Sequence, residues 1–295
     1  MPVIEMQGLT KCFAGVTAVD AVNLTVSEGT VLGLVGPNGA GKTTTIKMLM
    51  GLLLPTAGSA TVLNRAMGDA AARHYIGYVP DTPRMYPWFR VEEILFLCSG
   101  FYENWDWDRV DYLQAKFHLP LDKRIRSLSR GMTTMVALMI ALAVHPRLLI
   151  LDEPTAGLDP IKQREFFQLV LEEVAAEGTT VLLSTHHLGD LESLADQVAL
   201  MQEGKLVFCR ELEEIKQNFR RIQAAFPQGQ SEEELSQFPG VLATEKRGNI
   251  YSFIIDREPE QMMARLKTYS PTFIEMMALS LDEVFYYTVG GEHDV

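Results

Sequence analysis

Three stretches of this chain carry residue types that could do chemistry together. The first, "GPNGAGKTT" at residues 36–44, has the spacing G-x-x-x-x-G-K-T. Its glycines let consecutive backbone N–H groups turn toward phosphate oxygens. Lys42 can then reach the β- and γ-phosphates of a nucleotide, and the Thr43 hydroxyl is suited to ligating Mg2+. The second stretch, "LLILDEP", ends an apolar run in two carboxylates, Asp152 and Glu153. Asp152 would hold Mg2+ directly or through water, and Glu153 could activate a water as general base. The third, "VLLSTHH", ends in His186 and His187. A histidine at a strand end can contact a γ-phosphate and the attacking water; of two neighbours only one can face the site, and His186 is expected to be that one.

Position is as informative as type. Val31 to Val35 reads as a buried strand ahead of Gly36, and a helix should follow through Met50 and stop near Gly51. Strand, glycine loop and helix is the context a phosphate loop requires, with the helix N-terminus adding partial positive charge. Leu148 to Leu151 is a continuous apolar run, as in a central parallel strand covered on both faces. Its acidic end falls where ligands bind in open α/β sheets. A fourth stretch, "SLSRGMTTM" at residues 127–135, precedes the apolar run "VALMIALAV". Ser129 stands where a helix N-cap belongs, and Gly131 would let an anion approach the backbone closely. The pair reads as an anion site at a helix start.

The rest of the chain must position these residues. Strands over 3–9, 22–27 and 61–64 should form an antiparallel flank, and helical spacing over 91–102 and 108–119 marks a helical lobe of about residues 81–130. After Arg210 the pattern changes. "ELEEIKQNFRRIQ" reads as a charged helix, "GQSEEELSQ" as a polar loop, and 241–255 as a hairpin turning at Arg247-Gly248-Asn249. A helix over 259–269, a strand over 272–279 and a last helix over 280–290 complete a small α+β appendage. The expected division is a domain of residues 1–215 and an accessory domain of 216–295.

Composition sets outer limits. The formal charge is −12 and no basic stripe is present, which argues against nucleic acid as a partner. The opening "MPVIEMQGLT" lacks a basic start followed by an apolar core, so no signal peptide is expected. Met135 to Val144, the longest apolar run, is half the ~20 residues that span a bilayer. Cys12, Cys98 and Cys209 are odd in number and far apart, as in reduced structural thiols.

"GPNGAGKTT", "LSRGM", "LLILDEPTAGLDP" and "STHH", in this order, resemble the ATP-binding cassette family, the nucleotide-binding subunits of ABC transporters. The resemblance covers roughly residues 3 to 215, and "SLDEVF" near the end resembles the tail of single-cassette exporter subunits. It implies a phosphate-loop ATPase core and a head-to-tail dimer holding two ATP molecules with Mg2+. Hydrolysis would drive export through a separate integral membrane permease, with the chain peripheral on the cytoplasmic face of the membrane. Residue by residue it implies that Gly36, Pro37, Asn38, Gly39, Ala40, Gly41, Lys42, Thr43 and Thr44 bind ATP. Phe13 would stack on adenine, and Ser129 and Gly131 would cap the ATP of the opposite subunit. Asp159 would meet its twin across the dimer, and His186 would be the switch histidine. The helical lobe would dock the permease, with Tyr86, Trp88 and Phe89 as contacts.

Three positions depart from the family pattern. Asp81, in "IGYVPDTP", stands where glutamine is usual, and could still offer an oxygen to Mg2+. Arg130 and Met132 replace a glycine and a glutamine of the usual "LSGGQ"; Arg130 could approach the partner's ATP or point to solvent, and solvent is expected, the default for a surface charge. Competing readings are a cassette ATPase not coupled to transport and a cassette that binds without hydrolysing. The single set of motifs disfavours the first, and Glu153 and His186 disfavour the second.

Overall fold

The computed structural model describes residues 1–226 and 238–289; the polar loop expected over 229–237 lies outside them. In chain order the first elements are β1 (Pro2–Phe13), β2 (Val16–Ser27), β3 (Val31–Val35), α1 (Lys42–Leu49), β4 (Ala57–Val62) and β5 (Arg65–Ala66). They are followed by α2 (Ala70–Arg73), β6 (Ile76–Val79), α3 (Val91–Ser99), α4 (Trp107–Phe117), α5 (Arg130–Leu142) and β7 (Leu148–Asp152). Next come α6 (Pro160–Glu177), β8 (Thr180–Thr185), β9 (Gln197–Gln202), β10 (Lys205–Glu211) and α7 (Leu212–Asn218). The last are β11 (Arg220–Ala225), β12 (Val241–Arg247), β13 (Ile250–Ile255), α8 (Pro259–Lys267), β14 (Phe273–Ala278) and α9 (Leu281–Val289).

Two sheets build the first part of the chain. One has the order β2-β1-β4-β5 with antiparallel pairs. Along β2, Val22, Leu24 and Val26 are buried while their neighbours are exposed, the alternation of a sheet wetted on one face. The other has the order β10-β9-β3-β8-β7-β6, with β6 to β7, β7 to β8, β8 to β3 and β3 to β9 all parallel. Every residue of β3, β7 and β8 is buried, as in a parallel sheet covered on both faces, and Leu32, Leu34, Leu148, Ile150 and Leu182 share one core with the antiparallel sheet and α1. The expected antiparallel flank and parallel core are therefore both present. The carboxyl ends of β3, β7 and β8 lie side by side, with Val35 opposite Thr185 and Asp152 opposite Ser184. That register brings three sequence motifs to one sheet edge.

The described chain forms two compact units: Met1–His186 with Leu194–Cys209, and His187–Ser193 with the chain from Arg210 on. In the second unit the sheet order is β12-β13-β11-β14, all antiparallel. Phe226, Tyr251, Phe253, Met262 and Leu266 share one apolar core that joins this sheet to α8. The charged helix expected over 211–223 is shorter than its sequence suggested: α7 ends at Asn218, and β11, an inner strand of the sheet, begins at Arg220. Ile222, Ala224 and Phe226 are buried at alternate positions, so a period of two displaces the helical period once a sheet is there to receive it. Among the described residues no helix is long and apolar enough to cross a membrane.

Candidate active site

The phosphate loop is shaped by backbone crowding. A Cβ on Gly36 would fall 2.2 Å from the Met201 carbonyl oxygen, and Gly41 turns into α1 at φ +102°. No other residue type fits the first position, and only glycine takes the second without strain. α1 then starts at Lys42, so its unpaired N–H groups face the loop.

Lys42 is buried, and three acceptors surround its ammonium. It donates to the carbonyls of Gly36 at 2.6 Å and Pro37 at 3.3 Å, and it pairs with Glu153 Oε1 at 3.2 Å. The other oxygen of Glu153, Oε2, lies 2.7 Å from His186 Nδ1. Glu153 is thus clamped between a cation and an imidazole with 13% of its side chain exposed. Its backbone is in the left-handed region at φ +48°, held there by its N–H donating to the Ser184 carbonyl at 3.0 Å and to Ser184 Oγ at 3.1 Å. A non-glycine residue in that conformation costs energy that surrounding contacts must offset.

Asp152 lies one residue back and one layer deeper. Its Oδ1 accepts from Thr43 Oγ1 at 3.0 Å and from Ser184 Oγ at 2.6 Å. Burial pushes its carboxyl above the ordinary range, the hydrogen bonds from Ser184 and Thr43 oppose that shift, and the charges of Asp81 and Glu153 add to it. Tyr78, on β6, is pushed up to about 12 by burial and by the same two aspartates, Asp152 and Asp81. Ser184 was not singled out in the sequence, yet it serves both carboxylates: it donates to one and accepts from the backbone of the other. The only signal was a serine at the end of an apolar run, and serines are common there.

A cavity of about 490 Å3 opens over these groups, lined by Phe13, Ala18, residues 37–44, Asp81, Glu153, Ala156 and His186. Phe13 is half exposed at its mouth, with the Lys11 ammonium 5.1 Å from the ring centroid. Gly36 and Asp152 do not line it. They act from behind, through the carbonyl that receives Lys42 and through Thr43. Ala18 and Ala156 line it without having been expected; an alanine offers no chemical signal to read.

Ser129, Gly131 and Asp159 are elsewhere, in a second cavity of about 540 Å3 with Arg130, Met132, Leu158 and Lys162. Ser129 caps α5 as expected, its Oγ accepting from the Met132 N–H at 3.2 Å. The hydroxyl proton remains available to donate to an anion. Asp159 caps α6, accepting from the N–H groups of Ile161 and Lys162 at 3.0 Å each. A Cβ on Gly131 would meet Leu158 Cδ2 at 2.6 Å, so this glycine also has a reason within its own chain.

Two expectations change. Arg130 does not simply point to solvent: its Nη2 donates to Asp81 Oδ1 at 2.9 Å and to the Asp81 carbonyl at 3.3 Å. Attraction to a nearby carboxylate outweighs full hydration of the guanidinium. Asp81 accordingly enters the cavity as half of an ion pair, with Oδ1 engaged by Arg130 and Oδ2 accepting from Thr82 Oγ1 at 3.4 Å, and not as a free ligand. No group of three or more His, Cys, Asp and Glu side chains among the described residues could hold a metal by itself.

A family model described as ABC transporter matches residues 19–156. The daunorubicin/doxorubicin resistance ATP-binding protein DrrA of Streptomyces peucetius is 33% identical over 99% of this chain and 93% of its own length. The chain is an ATP-binding protein of the ABC transporter family. As a member of that family the cassette is an ATPase. The Nod factor export ATP-binding protein I of Rhizobium sp. (strain N33) is 31% identical over 98% of the cassette and 97% of its own length. In fold, the cassette matches the bacterial ABC transporter cassette MJ0796, whose structure is dimeric. The TM-score is 0.66 at 24% identity, covering 71% of this chain and 98% of that one.

Proposed function

We propose that this cassette hydrolyses ATP in a head-to-tail dimer and that hydrolysis drives export through a separate integral membrane permease. One observation carries the dimer: the residues that could complete a phosphate site, Ser129 and Gly131, line a different cavity from Lys42 and Glu153. A second copy turned head to tail would bring one cavity of each chain together. The dimeric structure of MJ0796 supports a dimer, and the resistance and export proteins among the relatives support an exporter.

The residues divide the work as follows. Phe13, half exposed with the Lys11 ammonium over its ring, stacks on adenine. The loop 36–44 and Lys42 hold the phosphates, and Asp159 meets its twin across the dimer. Glu153 takes the proton of the attacking water, and His186, hydrogen-bonded to it, holds the γ-phosphate. Mg2+ fits the donors present: Thr43 and Asp152 are hard oxygens 3.0 Å apart, and Mg2+ is held by one or two protein oxygens plus phosphates and water. Bound there, it would offset phosphate charge. Asp81 would add an oxygen only if its bond to Arg130 opened.

The helical lobe fits a permease contact. Trp88 and Tyr86 are exposed, and the Tyr86 ring lies 5.8 Å from Trp88 and 5.4 Å from Phe89. Clustered aromatics anchor interfaces well. Such a partner would hold the cassette on the cytoplasmic face of the membrane. We read residues 216–295 as an accessory domain, for dimer contact, regulation or stability.

The test is Glu153→Gln in the purified protein. It should bind ATP, lose about 10²- to 10⁴-fold in phosphate release, and accumulate as an ATP-dependent dimer by size-exclusion chromatography. Normal turnover would remove Glu153 from the mechanism.

A further inference from the structure

Asp81 and Arg130 are two of the three positions that depart from the family pattern, and they are each other's partner. An acid stands where glutamine is usual, and a base stands where glycine is usual. Although 49 residues apart in sequence, they meet at 2.9 Å. Asp81 lines the phosphate-loop cavity while Arg130 lines the cavity of Ser129 and Gly131, so the ion pair bridges the two.

The contact is directed by packing as well as charge. The stem of Arg130 lies over Gly157, where a Cβ would come within 3.2 Å of Arg130 Cδ. Gly157 belongs to the loop between Glu153 and Asp159, and it sits at φ +83°. A bare glycine lets the stem lie flat there and aim the guanidinium at Asp81. The reason for a counter-ion is plain. The cavity that Asp81 lines already contains Glu153, with Asp152 beneath it, and it must receive a polyanion.

We propose that Arg130 is a positioning residue of the ATP site: by pairing with Asp81 in its own chain, it neutralises and tethers an acid that would otherwise repel the phosphates. The proposal rests on the phosphate-loop cavity being the ATP site. Arg130 acts through Asp81 and does not itself line the phosphate-loop cavity of its own chain. The pair is half exposed, at 49% for each side chain, so its effect is moderate and screened by salt.

A double-mutant cycle on the full chain tests this. The probe is a fluorescent ATP analogue, titrated at low ionic strength with Mg2+ chelated and the protein dilute enough to be monomeric. Arg130→Ala should weaken binding about fivefold, an effect that shrinks at high salt. Arg130→Lys keeps the charge and should stay within about twofold of the parent. Asp81→Asn should bind at least as tightly as the parent, and Asp81→Asn with Arg130→Ala should regain the parent affinity. In hydrolysis assays the Arg130→Ala defect should appear in KM more than in kcat. Parent-like binding by Arg130→Ala overturns the proposal. So does a double variant as weak as Arg130→Ala, the outcome expected if Arg130 acted on the bound nucleotide directly and not through Asp81. If the parent itself binds no ATP, the ATP site is at fault and not the pair.

Discussion

The two cavities of the first unit are close in size and differ in chemistry. The one at the phosphate loop links Lys42, Glu153 and His186 in a chain of contacts no longer than 3.2 Å, above a buried aspartate fixed by two hydroxyls. The other offers the start of α5, capped by Ser129, and the capping aspartate of α6, among apolar walls such as Met132, Met135 and Leu158. One can hold phosphates and move a proton. The other is suited to receive an anion, at the capped start of α5 beside Arg130 and Lys162. Their difference is the physical case for a site shared between two copies.

The comparison can be broken most sharply at Lys42. Lys42→Ala removes the one cation lining the phosphate-loop cavity and leaves Glu153 without its ion pair. Loss of a hydrogen-bonded charge from a buried site costs about 3 kcal/mol, or roughly 100-fold in affinity. Isothermal titration with ATP should show that loss; a change below tenfold would mean that the loop backbone alone holds the phosphates.

Asp152→Asn separates function from stability. The amide oxygen can still accept from Thr43 and Ser184, while the charge is gone. Hydrolysis dependent on Mg2+ should be abolished. Stability should rise, because burial raises the folded pKa of Asp152 above its ordinary 3.8, and its ionised form therefore weakens the fold at neutral pH. That penalty is absent below the ordinary value and sets in as pH climbs through the raised one. Thermal melts at pH 7 should place the variant higher than the parent, and the gap should close as pH falls toward the ordinary value. A variant less stable than the parent at pH 7 would show that the hydrogen bonds outweigh the desolvation.

Ser129→Ala carries the smallest effect and sharpens the comparison most. Loss of the cap should cost about 1 kcal/mol of stability by chemical denaturation. ATP binding by the dilute, monomeric chain should hold, while ATP-driven dimerisation weakens. Equal losses in both measurements would place Ser129 with the nucleotide of its own chain and remove the argument for a shared site.

Some of this was legible along the chain because the causes are local. Glycine spacing reflects backbone geometry, the lysine after it reflects reach, and a continuous apolar run reflects a strand covered on both faces. Ser129 was legible as a cap for the same reason. β11 was not. Arg220 to Ala225 follow a charged helix without a break in composition, and only the strands on either side of it, β13 and β14, select the extended form. Ser184 was not legible either, since its value lies in standing opposite Asp152 across two parallel strands. The Arg130–Asp81 pair was invisible in principle: each residue read alone was only a departure from a pattern.

The sequence by itself determined the phosphate loop, the acidic strand end, the histidine after β8 and the capped start of α5. Each is written by neighbours in the chain and by the dihedral or hydrogen-bonding needs of a few consecutive residues. The tertiary structure alone decided which of them share a cavity. It placed Lys42, Glu153 and His186 together, set Ser129 and Asp159 apart from them, and turned two odd substitutions into one ion pair. Charges and hydrogen bonds act through space, so the order of residues names the groups, and only the folded sheet edge brings them within reach.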